Sequence, residues 1–189
     1  MNSTTNYLAC TLAMAATLTL IAPIGAQAAD AIDDPVRQPH LKAWSNVIPN
    51  ASKRFVVLAD FNNQAVLDRE TGLVWEHAPD ATDRLWADAS SYCLNKNVGG
   101  RKSWRLPSIL ELASLIDPTV NPGPTLPVGH PFTNIQSSQA KGYWSATTNA
   151  TISYLVWHVF FDSGLVTGNA NTVTDYVWCV RGPMSADAY

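Results

Sequence analysis

Residues 104–112 read WRLPSILEL, and this stretch predicts a helix start more clearly than any other part of the chain. Ser108, followed three residues later by Glu111, forms a capping box in which each side chain binds the other residue's backbone N–H. Pro107 disfavours helix in the residue before it, so the helix begins here. We expect the helix to end at Asp117-Pro118. Its apolar side is expected to consist of Ile109, Leu112, Leu115 and Ile116.

The first two residues of this stretch resemble a site, but we interpret them as structural. Trp104 is expected to pack against the helices. Arg105 is expected to pair with a carboxylate, with Glu111 and Asp117 as the candidates, or with helix-end carbonyls. Neither residue is therefore assigned to ligand binding.

A second helix is predicted upstream, with Asp83 as its N-cap and its last turn near Asn95. Gly99-Gly100 ends this segment. Four residues recur here at helical spacing, namely Trp86, Ala89, Ser90 and Cys93. Cys93 is therefore expected to face the core with Trp86.

Downstream of the capping box, residues 117–141 contain five prolines and predict a long, stiff loop without regular structure. Loops of this length are usually functional or disordered.

The remaining segments predict β-strands on either side of the helices. Residues 65–68 and 73–76 flank a polar connection ending in Gly72, which is typical of a hairpin. Further strands are expected at 55–58, 143–147, 154–161, 165–167 and 176–181. Trp144, Trp157 and Trp178 lie in these strands and are expected in the core. The order predicts an α+β fold, an antiparallel sheet with two helices and a long loop-rich face.

The N-terminal residues are typical of an export signal. Residues 9–24 are apolar or small, and Ala26-Gln27-Ala28 provides a cleavage site after Ala28. A membrane anchor is the alternative, but the run is shorter than the ~20 residues of a spanning helix. We predict a signal peptide at 1–28, an N-terminal arm at 29–53, a domain at 54–183 and a tail at 184–189. The mature chain is expected in the periplasm or outside the cell, without membrane insertion.

Cleavage would leave two cysteines, Cys93 and Cys179, in an oxidising compartment, where a disulfide is expected. It would close a loop of about 87 residues and stabilise the fold by about 4–5 kcal/mol. Two buried free thiols are the alternative.

Charge and histidine content narrow the functional classes. The net charge is −3 and 14% of residues are charged, which argues against a nucleic-acid partner. The four histidines are widely scattered and no CxxC or HExxH motif occurs, so we expect no metal and no cofactor.

The resemblance of this chain to a known family is carried by short motifs in a fixed order. These are Leu67-Asp68, Thr71 to Trp75, Trp86 to Ala89, Tyr92-Cys93, Gly99-Gly100, Trp104 to Ser108, Glu111-Leu112, Tyr143 to Thr147, Phe161 to Gly164 and Cys179 to Arg181. In order and spacing they resemble the Lcl C-terminal domain family, named from the end of a bacterial collagen-like adhesin. The resemblance runs from about residue 63 to residue 182.

The resemblance implies a fold similar to C-type-lectin-like and formylglycine-generating-enzyme-like proteins. In the named adhesin the domain is associated with surface attachment and with binding of sulfated polysaccharide. This chain differs from that adhesin in two features, since this chain has no collagen repeat and no basic surface. It also lacks the Glu-Pro-Asn, Gln-Pro-Asp and Trp-Asn-Asp tripeptides with which lectins of this fold class hold calcium.

We expect a non-catalytic binding or adhesion module that recognises a glycan or an extracellular or envelope protein. The candidate ligand residues are polar or aromatic residues in two loops, at 117–141 and 167–176. They are Asn121, His130, Asn134, Gln136, Asn169, Asn171, Asp175 and Tyr176. Three alternatives stay open: an oxidoreductase that uses Cys93 and Cys179 as a thiol pair for copper, a glycosidase that uses paired carboxylates such as Glu70 and Glu76, and an interaction subunit of an envelope or pilus-like assembly.

Overall fold

The computed structural model describes residues 48–182, which belong to one unit of the chain, residues 38–189. The predicted signal peptide, its cleavage site, most of the arm and the tail lie outside the described residues. The helices are α1 (Ala51–Arg54), α2 (Trp86–Leu94) and α3 (Ile109–Ala113), with a 3₁₀ turn at Ala59–Phe61. The strands are β1 (Phe55–Val57), β2 (Ala65–Asp68), β3 (Val74–Glu76), β4 (Arg84–Leu85), β5 (Trp104–Arg105), β6 (Tyr143–Thr148), β7 (Leu155–Phe160), β8 (Leu165–Ala170), β9 (Thr174–Asp175) and β10 (Val180–Arg181).

The strands form three antiparallel sheets, with orders β1-β2-β3-β10-β5, β4-β9 and β6-β7-β8. The predicted hairpin is confirmed, because β2 and β3 pair with Leu67 opposite Val74. Gly72 has a φ of 75°, the left-handed conformation that the connection requires. Antiparallel sheets with three short helices make an α+β fold, as predicted. The likeness to C-type-lectin-like folds stays a prediction.

The predicted strand at 176–181 is wrong for most of its length, because the chain here changes hydrogen-bonding partners. The Tyr176 backbone N–H donates to the carbonyl of Gly142, whereas that of Cys179 donates to the Glu76 side chain. A regular ladder therefore exists only in β10, where Val180 pairs with both Trp75 and Arg105. The segment lies between the sheets and is buried from Val177 to Val180.

Two buried clusters form the core. One contains Trp75 and Trp178, whose rings meet edge to face with centroids 5.4 Å apart. The other contains Trp104, Trp144 and both described cysteines. The core positions predicted for Trp104, Trp144 and Trp178 are confirmed. Trp157 is only half-buried and belongs to neither cluster.

The disulfide between Cys93 and Cys179 is present, with both residues fully buried and their Cα atoms 5.5 Å apart. It joins α2 to the residue directly before β10, as predicted. Among residues 48–182, no helix is long and apolar enough to cross a membrane.

The capping box is confirmed in both directions. The Glu111 carboxylate accepts the Ser108 N–H at 2.8 Å, and the Ser108 hydroxyl accepts the Glu111 N–H at 3.2 Å. The Arg105 guanidinium donates two hydrogen bonds, of 2.7 and 2.6 Å, to the Glu111 carboxylate. Of the two carboxylates expected to pair with Arg105, Glu111 is therefore the partner. The helix itself is shorter than predicted, because after Ala113 the chain continues in i→i−3 turns as far as Ile116.

The expected N-cap role of Asp83 is wrong. Helix α2 begins at Trp86, because Arg84 and Leu85 first pair with β9. The Asp83 carboxylate instead accepts hydrogen bonds from Lys141 and from the Thr174 hydroxyl. It therefore joins the end of the long loop to β9.

Candidate functional site

The path of the proline-rich loop, residues 117–141, is fixed by the turn between β7 and β8. Gly123 N–H donates to the Asp162 carbonyl at 3.2 Å, and Thr125 N–H donates to the Phe161 carbonyl at 2.7 Å. A Cβ atom on Gly123 would lie 2.4 Å from that same Phe161 oxygen, so the close approach requires glycine. As predicted, the loop contains no helix or strand, yet it is tied to the sheet.

A groove lies between this loop and the β7–β8 turn, with a volume of about 470 Å³. We call it the loop groove. Its lining combines apolar surface with hydroxyl, amide and carboxylate groups. The lining residues are Pro118, Val120, Asn121, Pro122, Gly123, Thr125, Ser137, Gln139, Asp162 and Ser163. Asp162 is the one charged member of this set, so the groove can bind hydroxyl groups but has no cation for an anionic ligand.

Of the eight predicted ligand residues, Asn121 is the one that lines the loop groove. Two others, Asn134 and Gln136, lie in the second half of the loop and hold its backbone in place. The Asn134 amide donates to the Pro79 carbonyl at 2.7 Å. The Gln136 N–H donates to the Tyr143 hydroxyl at 2.7 Å, and burial raises the pKa of Tyr143. Tyr143 therefore stays a neutral phenol, able to fix the loop.

His130 lies in the same loop, half-buried, with its ring centroid 5.8 Å from that of Phe132. Its Nδ1 atom is buried, and no hydrogen-bond partner for it occurs within residues 48–182. Burial lowers the pKa of His130, because the charged ring is poorly solvated there. The ring therefore acts mainly as an apolar neighbour of Phe132.

The predicted loop at 167–176 is wrong in part, because its residues up to Ala170 belong to β8 and Thr174–Asp175 form β9. Two of its members, Asn169 and Asp175, form an internal hydrogen-bond network. Asp175 is fully buried and accepts bonds from His158 Nδ1 at 2.8 Å, Gly142 N–H at 3.0 Å and Asn169 Nδ2 at 3.2 Å. A carboxylate satisfied in this way holds β7, β8 and β9 together. Tyr176 also packs inward, with its ring 5.5 Å from that of Tyr143.

Asn171 lies at the opposite end of β8 from the loop groove, next to an exposed residue that the sequence pattern does not single out. Its N–H donates to the carbonyl of Tyr154, whose side chain is 58% exposed. Ile152 and Val173 are exposed in the same two turns, at 38% and 40%. We call Ile152, Tyr154, Asn171 and Val173 the tyrosine patch. Tyr154 opens an apolar run that is typical of a buried strand, so the sequence pattern does not predict its exposure.

A second cleft, of about 350 Å³, contains an ion pair. Glu76 lies 2.5 Å from the Lys96 ammonium and also accepts the Cys179 N–H at 2.8 Å. Burial raises the pKa of Glu76, although Lys96 opposes the rise. Both carboxylate oxygens are thus engaged beside the disulfide, which indicates a structural role. Glu70 is not among the residues that line this cleft and belongs to the ion-pair group of Arg54.

No group of three or more histidine, cysteine, aspartate or glutamate side chains in the described part of the chain could hold a metal ion. A search among curated proteins finds no match. The family model described as the Lcl C-terminal domain matches residues 64–181, from the residue before β2 to the last residue of β10. That match spans most of the chain and carries the motif order described above, and the chain therefore belongs to the Lcl C-terminal domain family.

Proposed function

We propose that this domain is an exported, non-catalytic adhesion module that binds a neutral glycan in the loop groove. Its family points to an adhesin-like domain, and the observation that supports the ligand is the composition of the groove. Asn121 and Gln139 supply amides, Ser137 and Ser163 supply hydroxyls, and Asp162 supplies a carboxylate. Together they offer both donors and acceptors to sugar hydroxyl groups.

The charge of the groove favours a neutral sugar over a sulfated one. Asp162 is negative and no Lys or Arg is among the lining residues, so a sulfate group would be repelled. The apolar surfaces of Pro118, Val120 and Pro122 can contact the C–H faces of a sugar ring. A volume of about 470 Å³ lies within the range of small-molecule sites.

Rigidity supports the same proposal. The bonds from Gly123 and Thr125 to the β7–β8 turn hold the loop groove open before a ligand arrives, so little conformational entropy is lost on binding. The Cys93–Cys179 disulfide and its buried surroundings support export, since disulfides persist in oxidising compartments. It also joins the two sulfurs that the oxidoreductase alternative requires as free thiols.

A glycan array that contains neutral and sulfated oligosaccharides tests the proposal, followed by calorimetry on the neutral hits. Gln139→Ala and Asp162→Asn are expected to weaken binding about tenfold, which corresponds to about 1.4 kcal/mol. Asn97→Ala, an exposed amide outside the groove, is the matched control and is expected to change nothing. Absence of any neutral ligand at about 100 μM protein, or equal weakening by the control, would overturn the proposal.

A protein partner is the second candidate, and the tyrosine patch favours it. The exposed Tyr154 ring lies in a pair of turns that also expose Ile152 and Val173, and this is the composition of a protein-interface anchor. A pull-down from envelope extract with wild type, Tyr154→Ala and Leu94→Ala separates this candidate from the first. Leu94 is 65% exposed on α2 and serves as the control. A partner lost only with Tyr154→Ala supports an interaction subunit, and a partner kept by all three proteins contradicts it.

A further inference from the structure

Within residues 48–182, strand β8 is an edge strand with one unpaired side. Its six residues pair with β7 in an unbroken register from Phe160 opposite Leu165 to Leu155 opposite Ala170. The sheet order β6-β7-β8 places no strand of the described chain on its other side. Such an edge presents a row of backbone donors and acceptors to any strand that approaches.

The alternation of the ladder shows which backbone groups point outward. Asn171 N–H donates to the Tyr154 carbonyl and extends the β7–β8 ladder by one step. The backbone N–H and C=O groups of every second residue before Asn171 therefore also point towards β7. Those of Val166, Gly168 and Ala170 point away from β7. Ala170 is satisfied locally, since its N–H donates to Asn169 Oδ1 and its carbonyl accepts the Val173 N–H. Val166 and Gly168 remain, with two N–H and two C=O groups directed outward.

The other edges of the described sheets are protected in ways that β8 is not. In β6, the outward N–H groups of Trp144 and Ala146 donate to the carbonyls of Tyr176 and Pro107, and a register shift interrupts the strand. Strand β1 has three residues, and strands β4, β5 and β9 have two each, so these edges are short. In contrast, β8 contains no charged residue and no proline, the usual devices that prevent edge pairing.

We propose that β8 pairs with β8 of a second copy of this chain, antiparallel, about a two-fold axis at Thr167. Val166 of each copy then lies opposite Gly168 of the other, and the two strands exchange four backbone hydrogen bonds. Both outward residues of both strands are used, which makes the edge self-complementary. No charged side chain occurs in β8, so the pairing places no like charges opposite each other. Gly168 carries no side chain that could hinder the approach.

The result is a continuous six-stranded sheet. Because the contact is small, we expect a weak dimer that forms reversibly at protein concentrations between about 10 μM and 1 mM. Sedimentation equilibrium over that range tests its existence. A monomer at every concentration would overturn the proposal. It would do so even if the β8 edge binds an unrelated extended peptide.

Charge substitution at the two-fold axis tests the register. In Thr167→Lys and in Thr167→Glu, like charges meet across the axis, and each variant alone is expected to dimerise about fivefold more weakly. An equimolar mixture of the two is expected to restore dimerisation, because opposite charges then meet. Thr133→Lys, an exposed threonine in the proline-rich loop, is the control. Unchanged dimerisation of the Thr167 variants, failure of the mixture to restore it, or equal weakening by the control would each overturn the proposal.

Amide hydrogen exchange on the wild type supplies a readout that needs no variant. The N–H groups of Val166 and Gly168 are expected to gain protection as concentration rises. The Thr167 N–H already faces β7 and is expected to keep the same protection throughout. Equal, concentration-independent exchange at all three amides would contradict the pairing.

Discussion

Removal of the Cys93–Cys179 disulfide is expected to destabilise the domain strongly and in a non-additive way. The two cysteines are 86 residues apart in sequence, and closing so long a loop lowers the entropy of the unfolded chain by the equivalent of about 4–5 kcal/mol. Domains of this kind have a total stability of about 5–15 kcal/mol. Either Cys93→Ala or Cys179→Ala alone breaks the cross-link, so each single variant should lose the full loop contribution.

The double variant then has no cross-link left to lose. Its loss should equal that of a single variant to within about 1–2 kcal/mol, the packing contribution of one more buried sulfur atom. Urea unfolding followed by tryptophan fluorescence measures all four proteins, since Trp75 and Trp178 are fully buried and report on the core. Loss of less than about 1 kcal/mol in a single variant, or losses that add in the double variant, would refute the scaffold argument.

Three other contacts give measurable effects. Arg54→Met leaves the buried Asp68 carboxylate with two of its four hydrogen bonds and should lower the unfolding free energy by about 3–5 kcal/mol in urea titration. Adding Asp68→Leu should recover most of that loss, and a further loss would contradict the explanation. Ser108→Ala removes the α3 cap and should cost about 1 kcal/mol in the same assay, while an unchanged midpoint would show that the cap is dispensable. The hydrogen bond from Lys141 holds the pKa of Asp83 at about 2, below its ordinary 3.8. Because the folded-state pKa is depressed, this stabilisation is present above pH 3.8 and is lost as the pH falls towards 2. Asp83→Asn should therefore flatten part of the acid-side decline in melting temperature, and identical pH profiles would exclude that role.

Local sequence signals predicted the elements whose partners lie within a few residues. The capping box joins Ser108 to Glu111, and the β2–β3 hairpin depends on Gly72 at its turn. In both cases the interacting groups are adjacent in the chain, so their chemistry can be interpreted without knowledge of the fold. The pairing of Arg105 with Glu111 belongs to the same class, at a separation of six residues.

Distant partners explain the predictions that were wrong. Asp83 has the sequence context of an N-cap, but its partners Lys141 and Thr174 lie 58 and 91 residues away. The ligand role of Asp175 stays a prediction, but a distant partner also decides its position, because its carboxylate is directed inward by His158 and the backbone of Gly142. Sequence polarity does not show whether a side chain faces solvent or a buried donor.

Two of the predicted ligand residues lie in places that a single copy keeps apart. Asn121 lies in the loop groove with Asp162 and Ser163, at one end of β8, and Asn171 lies in the tyrosine patch at the other end. Six residues of β-strand separate these ends by about 20 Å. Antiparallel pairing about Thr167 would change this arrangement, because the turn that begins β8 in one copy would then lie beside the turn that ends β8 in the other.

In that pairing, Gly164 of one copy is opposite Ala170 of the other, and the next step along the register brings Ser163 towards Asn171. Since Ser163 lines the loop groove, the partner's Asn171 would lie beside it, whereas the partner's Tyr154 lies directly before β7, one strand farther away. The Asn171 amide would add hydrogen-bond donors and an acceptor to the hydroxyl and amide groups of the groove. Glycan affinity should then rise with dimerisation. Thr167→Lys, which leaves every groove residue intact, should weaken glycan binding as well as self-association, and the equimolar mixture with Thr167→Glu should restore both. If binding is unaffected while the dimer is lost, the two sites act independently and the groove binds its ligand alone.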